Sequence, residues 1–198
     1  MNRMNKRELL DQIEKDVRLA SGADAKPVMG EGDPDAKLML IGEAPGAQEE
    51  QQGRPFVGSA GKNLDRFLEM TGFKRAQLYI TNTVKIRPAR YSEKTGRWSN
   101  RPPTKDEVAL FRPMMMREIA AVQPKVVATL GNFALRAVLN DPKVSIGDVH
   151  GQPIPAKGED GAEFILFPLY HPASIIYRRA LETVYNEDVA RLAEFLRR

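Results

Sequence analysis

The chain has 198 residues, 42% hydrophobic and 28% charged, the composition of a globular protein that can bury a core of its own. It has no cysteine, which excludes disulfides, cysteine-ligated zinc and cysteine-ligated iron–sulfur clusters. A net charge of +4 is compatible with nucleic acid as a partner but favours it only mildly.

The opening stretch "MNRMNKRELLDQIEKDV" lacks the apolar centre of a signal peptide, and no later run approaches membrane length, so a cytoplasmic address with no membrane contact is expected. Leu9, Leu10, Ile13 and Val17 recur at helical spacing and predict an amphipathic helix over 5–19. The turn-rich "SGADAKPVMGEGDPDA" follows. Residues 1–27 therefore read as a helix and linker packed on a domain spanning 28–198. Within that domain "KLMLIGE" (37–43), "LYITNTV" (78–84), "KVVATLG" (125–131) and "FILFPLY" (164–170) are short, nearly continuous apolar runs. Such runs suit strands covered on both faces, as in a parallel sheet.

Helical patterns lie between them. "GSAGKNLDRFLEMTG" sets Leu64, Phe67 and Leu68 on one face and stops at Gly72. "TKDEVALFRPMMMREIAAV" opens with Thr104 and Glu107 at capping-box spacing. "NFALRAVL" is a shorter helix, and "EDVARLAEFLRR" ends the sequence. The alternation predicts an α/β fold, a three-layer α/β/α sandwich around a central, four-stranded, mainly parallel sheet.

Each apolar run leads into a polar or glycine-bearing stretch. Open parallel sheets bind ligands beyond the carboxyl ends of their strands, so Glu43, Asn82 and His171 are expected to converge on one edge. In "GEAPG" (42–46) Gly42 and Gly46 permit close approach to a ligand, and Glu43 is placed to orient a water or support a cation; a turn with a solvated carboxylate has the same letters. "GRPFVGSAGKNL" (53–64) misses the phosphate-loop template twice, with Phe56 at its first glycine and Asn63 at its hydroxyl, which argues against a nucleotide triphosphatase. Ser59 and its neighbours still begin a helix whose N–H groups suit an anion, while Phe56 is a core residue or a stacking platform. The Asn82 amide can read one edge of a planar base, or simply cap a loop.

His171 is one of two histidines, and "HPASIIYRR" follows it with a stiffening proline, apolar residues and cations, the ingredients of a base-extruding loop. His150 lies in a turn and is given no role. From Lys85 to Arg112, eight basic residues face three acids, so this segment alone carries more than the whole surplus of charge. It is a DNA-facing stretch or a solvated loop.

Taken together, "LMLIGEAPGAQEEQQGRPFVGSAGKNLDRFL", "LYITNTVKIRP" and "LYHPAS" closely resemble the bacterial and archaeal family-4 uracil-DNA glycosylases over roughly residues 28–195. The resemblance implies a monofunctional enzyme that hydrolyses the N-glycosidic bond of flipped-out deoxyuridine, releasing uracil and leaving an abasic site in DNA. It implies Glu43 as the catalytic carboxylate and His171 as the group that stabilises the departing uracil anion. It also implies Gly42, Phe56 and Asn82 as backbone contact, stacking partner and edge reader for uracil. Ser59, Lys85, Arg87, Arg97, Arg101, Pro172, Ala173, Ser174 and Arg178 are the expected DNA contacts, to single or double strands, of a monomer. Close alternatives are the same fold acting on hypoxanthine or a modified pyrimidine, and a catalytically silent DNA-binding module.

Relatives in this family usually hold a 4Fe–4S cluster on four cysteines. This sequence has Ile86 and Phe111 where two are expected and lacks the N-terminal pair around 15–21, so no cofactor is expected and apolar packing should fill the volume. The segment "ARYSEKTGRWSN" (89–100) lengthens the chain at this point, and Trp98 within it either meets DNA or covers the vacated site. A related branch bonds covalently to the sugar through a histidine here; this loop has none, so ordinary turnover is expected.

Overall fold

The structure, a computed structural model, describes residues 5–172, 174 and 180–197, the side chains of residues 59 and 60 aside. Its centre is four buried parallel strands, β2 (Leu38–Gly42), β3 (Leu78–Asn82), β6 (Val126–Leu130) and β8 (Glu163–Leu169). They coincide with the four apolar runs. Two short antiparallel strands, β1 (Glu31–Gly32) and β7 (Ile154–Lys157), extend the sheet to six strands in the order β1-β3-β2-β6-β8-β7. Neither edge has an apolar run to betray it, and β7 carries Pro155, which an edge strand tolerates.

Side chains alternate along each central strand, so the sheet has two apolar faces. Met39, Ile41, Val127 and Leu166 pack with α4 (Lys105–Val122) and α5 (Asn132–Leu139). Leu38, Leu40, Ile80 and Phe167 pack with α3 (Ser59–Thr71) and α7 (Ala180–Arg197). The result is the expected three layers. Helix α1 (Lys6–Ser21) lies against α4 through Ile13, Val17 and Phe111, and Lys6 donates from Nζ to the Val122 carbonyl at 2.8 Å.

The helix boundaries follow local chemistry. Thr104 accepts from the Glu107 N–H and the Glu107 carboxylate accepts from the Thr104 N–H at 2.7 Å, the reciprocal cap that the spacing predicted. Helix α3 stops at Gly72, whose φ of 74° only glycine adopts at no steric cost. The terminal helix α7 is already formed at Ala180, seven residues before the "EDVARLAEFLRR" pattern. Two short helices, α2 (Ala47–Gln52) and α6 (Ile146–Val149), and a hairpin of β4 (Ala89–Ser92) and β5 (Arg97–Asn100) have no counterpart among the predicted elements.

Candidate active site

The carboxyl ends of the central strands open on a cleft of about 220 Å³ lined by Glu43, Phe56, Asn82 and His171. The volume is below that of a typical drug-sized site and suits one small planar group. Gly42 pairs with Asn82 across β2 and β3, so Glu43 leaves β2 just beyond the amide. His171 follows β8, and its Cβ packs against Gly131 at the end of β6, where a Cβ would come within 3.1 Å. Glycine at 131 sets how closely the imidazole approaches.

Gly42 has a spatial role. A Cβ there would lie 2.4 Å from Asn82 Oδ1 and 2.6 Å from Phe56 Cζ, so any side chain would enter the space between amide and ring. Its carbonyl already accepts from the N–H and the hydroxyl of Thr83, both at 2.9 Å, and Glu43's carbonyl accepts from the Val84 N–H at 3.0 Å. These bonds fix the backbone on which the carboxylate stands. No hydrogen bond among the described residues uses the Glu43 carboxylate or the Asn82 amide, and both are left to the cleft. Burial raises the Glu43 pKa and lowers that of His171, so burial favours an easily protonated carboxyl and a neutral imidazole.

Three supports were not foreseen. Buried Glu49 accepts from the N–H groups of Val57 (3.2 Å) and Gly58 (2.8 Å) with one oxygen and from Gly46 N–H (3.2 Å) with the other. It thereby ties the "GEAPG" loop to the loop bearing Phe56. The spacing Gly46-x-x-Glu49, that of a helix cap, was the available signal. Phe56 adopts a φ of 54°, a conformation a bulky residue adopts only under constraint. Arg75 supplies that constraint, donating to the carbonyls of Pro55 (2.6 Å) and Phe56 (3.2 Å) while paired with Glu31. Finally, Lys85 donates to the Asn82 carbonyl (2.8 Å), to Thr81 Oγ1 (2.6 Å) and to Glu118.

That last finding corrects an expectation. Lys85 is fully buried and ion-paired to equally buried Glu118, so it braces Asn82 from beneath and cannot touch DNA. Burial pulls its pKa down while Glu118 opposes the shift. Pro172 is buried too and helical, so it stiffens the backbone after His171 and offers no wedge; the Ser174 N–H donates to the His171 carbonyl at 2.8 Å. Ala173 and Arg178 lie outside the described residues, as does the side chain of Ser59, whose backbone begins α3.

The remaining basic candidates sit on or beside the hairpin. Arg97 is exposed. Arg87 bonds Asn100 Oδ1 (2.7 Å) and approaches Glu50 (3.4 Å). Arg101 grips Glu107 with two bonds of 2.7 Å and lines the cleft. The Arg101 guanidinium holds the Glu107 carboxyl down at about 2, with the Thr104 cap assisting. His150 packs against Tyr170 with ring centroids 4.9 Å apart and pairs with Asp188 of α7 at 2.7 Å, a structural tie.

A 4Fe–4S cluster does not fit these residues, because the sequence offers no thiolate. Ile86, Phe111 and Val17, at or near the positions where the resemblance implies cysteine, share one apolar cluster with Ile13 and Val84. Trp98 is not part of it, being 62% exposed on the hairpin. Among the described residues no group of three or more histidines or carboxylates is arranged to hold a metal ion.

The family model of the uracil DNA glycosylase superfamily matches residues 29–193. The type-4 uracil-DNA glycosylase of Sulfurisphaera tokodaii is 38% identical over 171 residues, 84% of this chain and 73% of that protein. That of Saccharolobus solfataricus is 38% identical over 85% of this chain and 76% of its own length, and that of Thermotoga maritima 35% identical over 86% and 83%. A match of this extent assigns the chain to the uracil-DNA glycosylase superfamily.

Proposed function

We propose that this chain is a monofunctional uracil-DNA glycosylase of base-excision repair, working without a cofactor as a cytoplasmic monomer on DNA. The observation that carries the reading is the meeting of Glu43, Phe56, Asn82 and His171 in one small cleft, in a chain whose relatives are type-4 uracil-DNA glycosylases.

The chemistry follows from the groups. An extruded uracil stacks on Phe56, and the Asn82 amide donates and accepts along its edge. Cleavage of the N1–C1′ bond leaves positive charge on the sugar and negative charge on the base. Ionised Glu43 offsets the first and orients a water towards C1′, accepting its proton as the C1′–O bond forms. Neutral His171 donates an N–H to the base oxygen that gathers the second charge. Burial of the imidazole supports this, since a neutral donor spends no energy losing a proton to the uracil anion.

The test is purified protein with uracil-containing single- and double-stranded oligonucleotides, followed by alkaline scission. Wild type cleaves at uracil, Glu43→Ala does not, and His171→Ala is slower by about 100- to 1,000-fold, the usual loss for one preorganised donor. Absence of cleavage by wild type, or equal cleavage by Glu43→Ala, overturns the reading.

A further inference from the structure

The β4–β5 hairpin presents an aromatic pair to solvent at the rim of the cleft. Tyr91 and Trp98 face each other across the two strands, with ring centroids 5.4 Å apart, and are 53% and 62% exposed. Two large aromatics held open to water on a two-stranded ribbon contribute little to a core. Their face is defined by the register. Ala89 pairs with Asn100 and Tyr91 with Trp98, so these four share one side of the ribbon, while Arg90, Ser92, Arg97 and Ser99 share the other. Asn100 lines the cleft. Trp98 therefore lies two residues further out on the same face, about 7 Å along the strand.

The surrounding charge identifies the partner. Lys94 at the turn of the hairpin and Arg90 and Arg97 on the ribbon's other side stand against Glu93 alone, while Arg101 at its base is paired with Glu107. Exposed aromatics among cations, continuous with a base-sized pocket, are the arrangement by which proteins hold single-stranded nucleic acid: bases stack on the rings and the backbone lies along the cations. An acidic peptide would satisfy the cations but leave flat rings without flat partners.

We propose that the Tyr91–Trp98 face is a stacking platform for an unpaired base of the DNA strand adjoining the uracil. This rests on the uracil-DNA reading of the cleft and adds to it a preference for single-stranded or locally opened substrate.

Trp98 is the sole tryptophan of the chain, so its fluorescence reports on the platform directly. Titration of the wild-type protein with a short, uracil-free single-stranded oligonucleotide should quench that emission saturably. By anisotropy of a labelled strand, Trp98→Ala should bind about tenfold more weakly, and Trp98→Phe should recover most of the loss. Unchanged emission, unchanged affinity of Trp98→Ala, or equal quenching by polyglutamate each overturns the proposal. Uracil excision by the wild type is scored separately. Quenching without excision removes the glycosylase reading and leaves the platform; excision without quenching does the reverse.

Discussion

Glu43 stands in the cleft with burial as the cause of its raised pKa, so its ionised form is costly to the fold and useful to the reaction. A carboxyl whose folded pKa exceeds its unfolded value destabilises the protein above that folded pKa, and the penalty disappears as pH falls below about 4.5. Glu43→Gln should thus raise the melting temperature at neutral pH, lose that gain near pH 4, and abolish excision. In the wild type, kcat/KM should fall on the acid side through an apparent pKa above that of an ordinary glutamate. His171, kept neutral by burial, should add no inflection near its ordinary value of about 6.5. Gly42 makes a sharper test of geometry. Gly42→Ala places a methyl against Asn82 and Phe56, and should depress uracil excision by at least about 100-fold, while circular dichroism stays unchanged.

Among the elements, β3 and α4 are joined through charge as well as packing. Lys85 and Glu118 pair in a fully buried setting beneath Asn82, with Thr81 and Tyr79 bonded to the same carboxylate. Removing one partner strands a charge, so Lys85→Met should cost about 3–5 kcal/mol in denaturant unfolding, whereas Lys85→Met with Glu118→Leu should cost much less. Because Lys85 also holds the Asn82 carbonyl, the double variant, although folded, should show a raised KM for uracil-containing DNA. This pair marks the limit of what the sequence disclosed. The four central strands were legible as nearly continuous apolar runs, and helices α3, α4 and α5 by their apolar stripes, whereas the short α2 and α6 were not. Glu43, Asn82 and His171 were legible because each stands where such a run stops. Lys85 was misjudged because burial of a cation depends on an acid 33 residues away, which no local pattern records. The edge strands and the hairpin escaped for a related reason: they are half-solvated, and cross-strand pairing specifies them more than their own composition does.

At the scale of the whole molecule, the two apolar faces of the sheet are ordinary, and the third cluster fills the corner where the family resemblance implies an iron–sulfur cluster. Ile13, Val17, Val84 and Phe111 are all buried there, with Ile86 and Met29 packed around them. Truncating such an aromatic leaves a void, so Phe111→Ala should destabilise by about 3–5 kcal/mol. If side chains alone complete this corner, protein unfolded in guanidinium and diluted into buffer without iron or sulfide should regain full excision activity; failure to do so would mean that a ligand is needed there. The consequence reaches the cell. If that refolding succeeds, an N-terminal helix fastened by hydrocarbon frees the fold from any supply of iron or sulfide, and excision in extracts of iron-depleted cells should match that of replete ones.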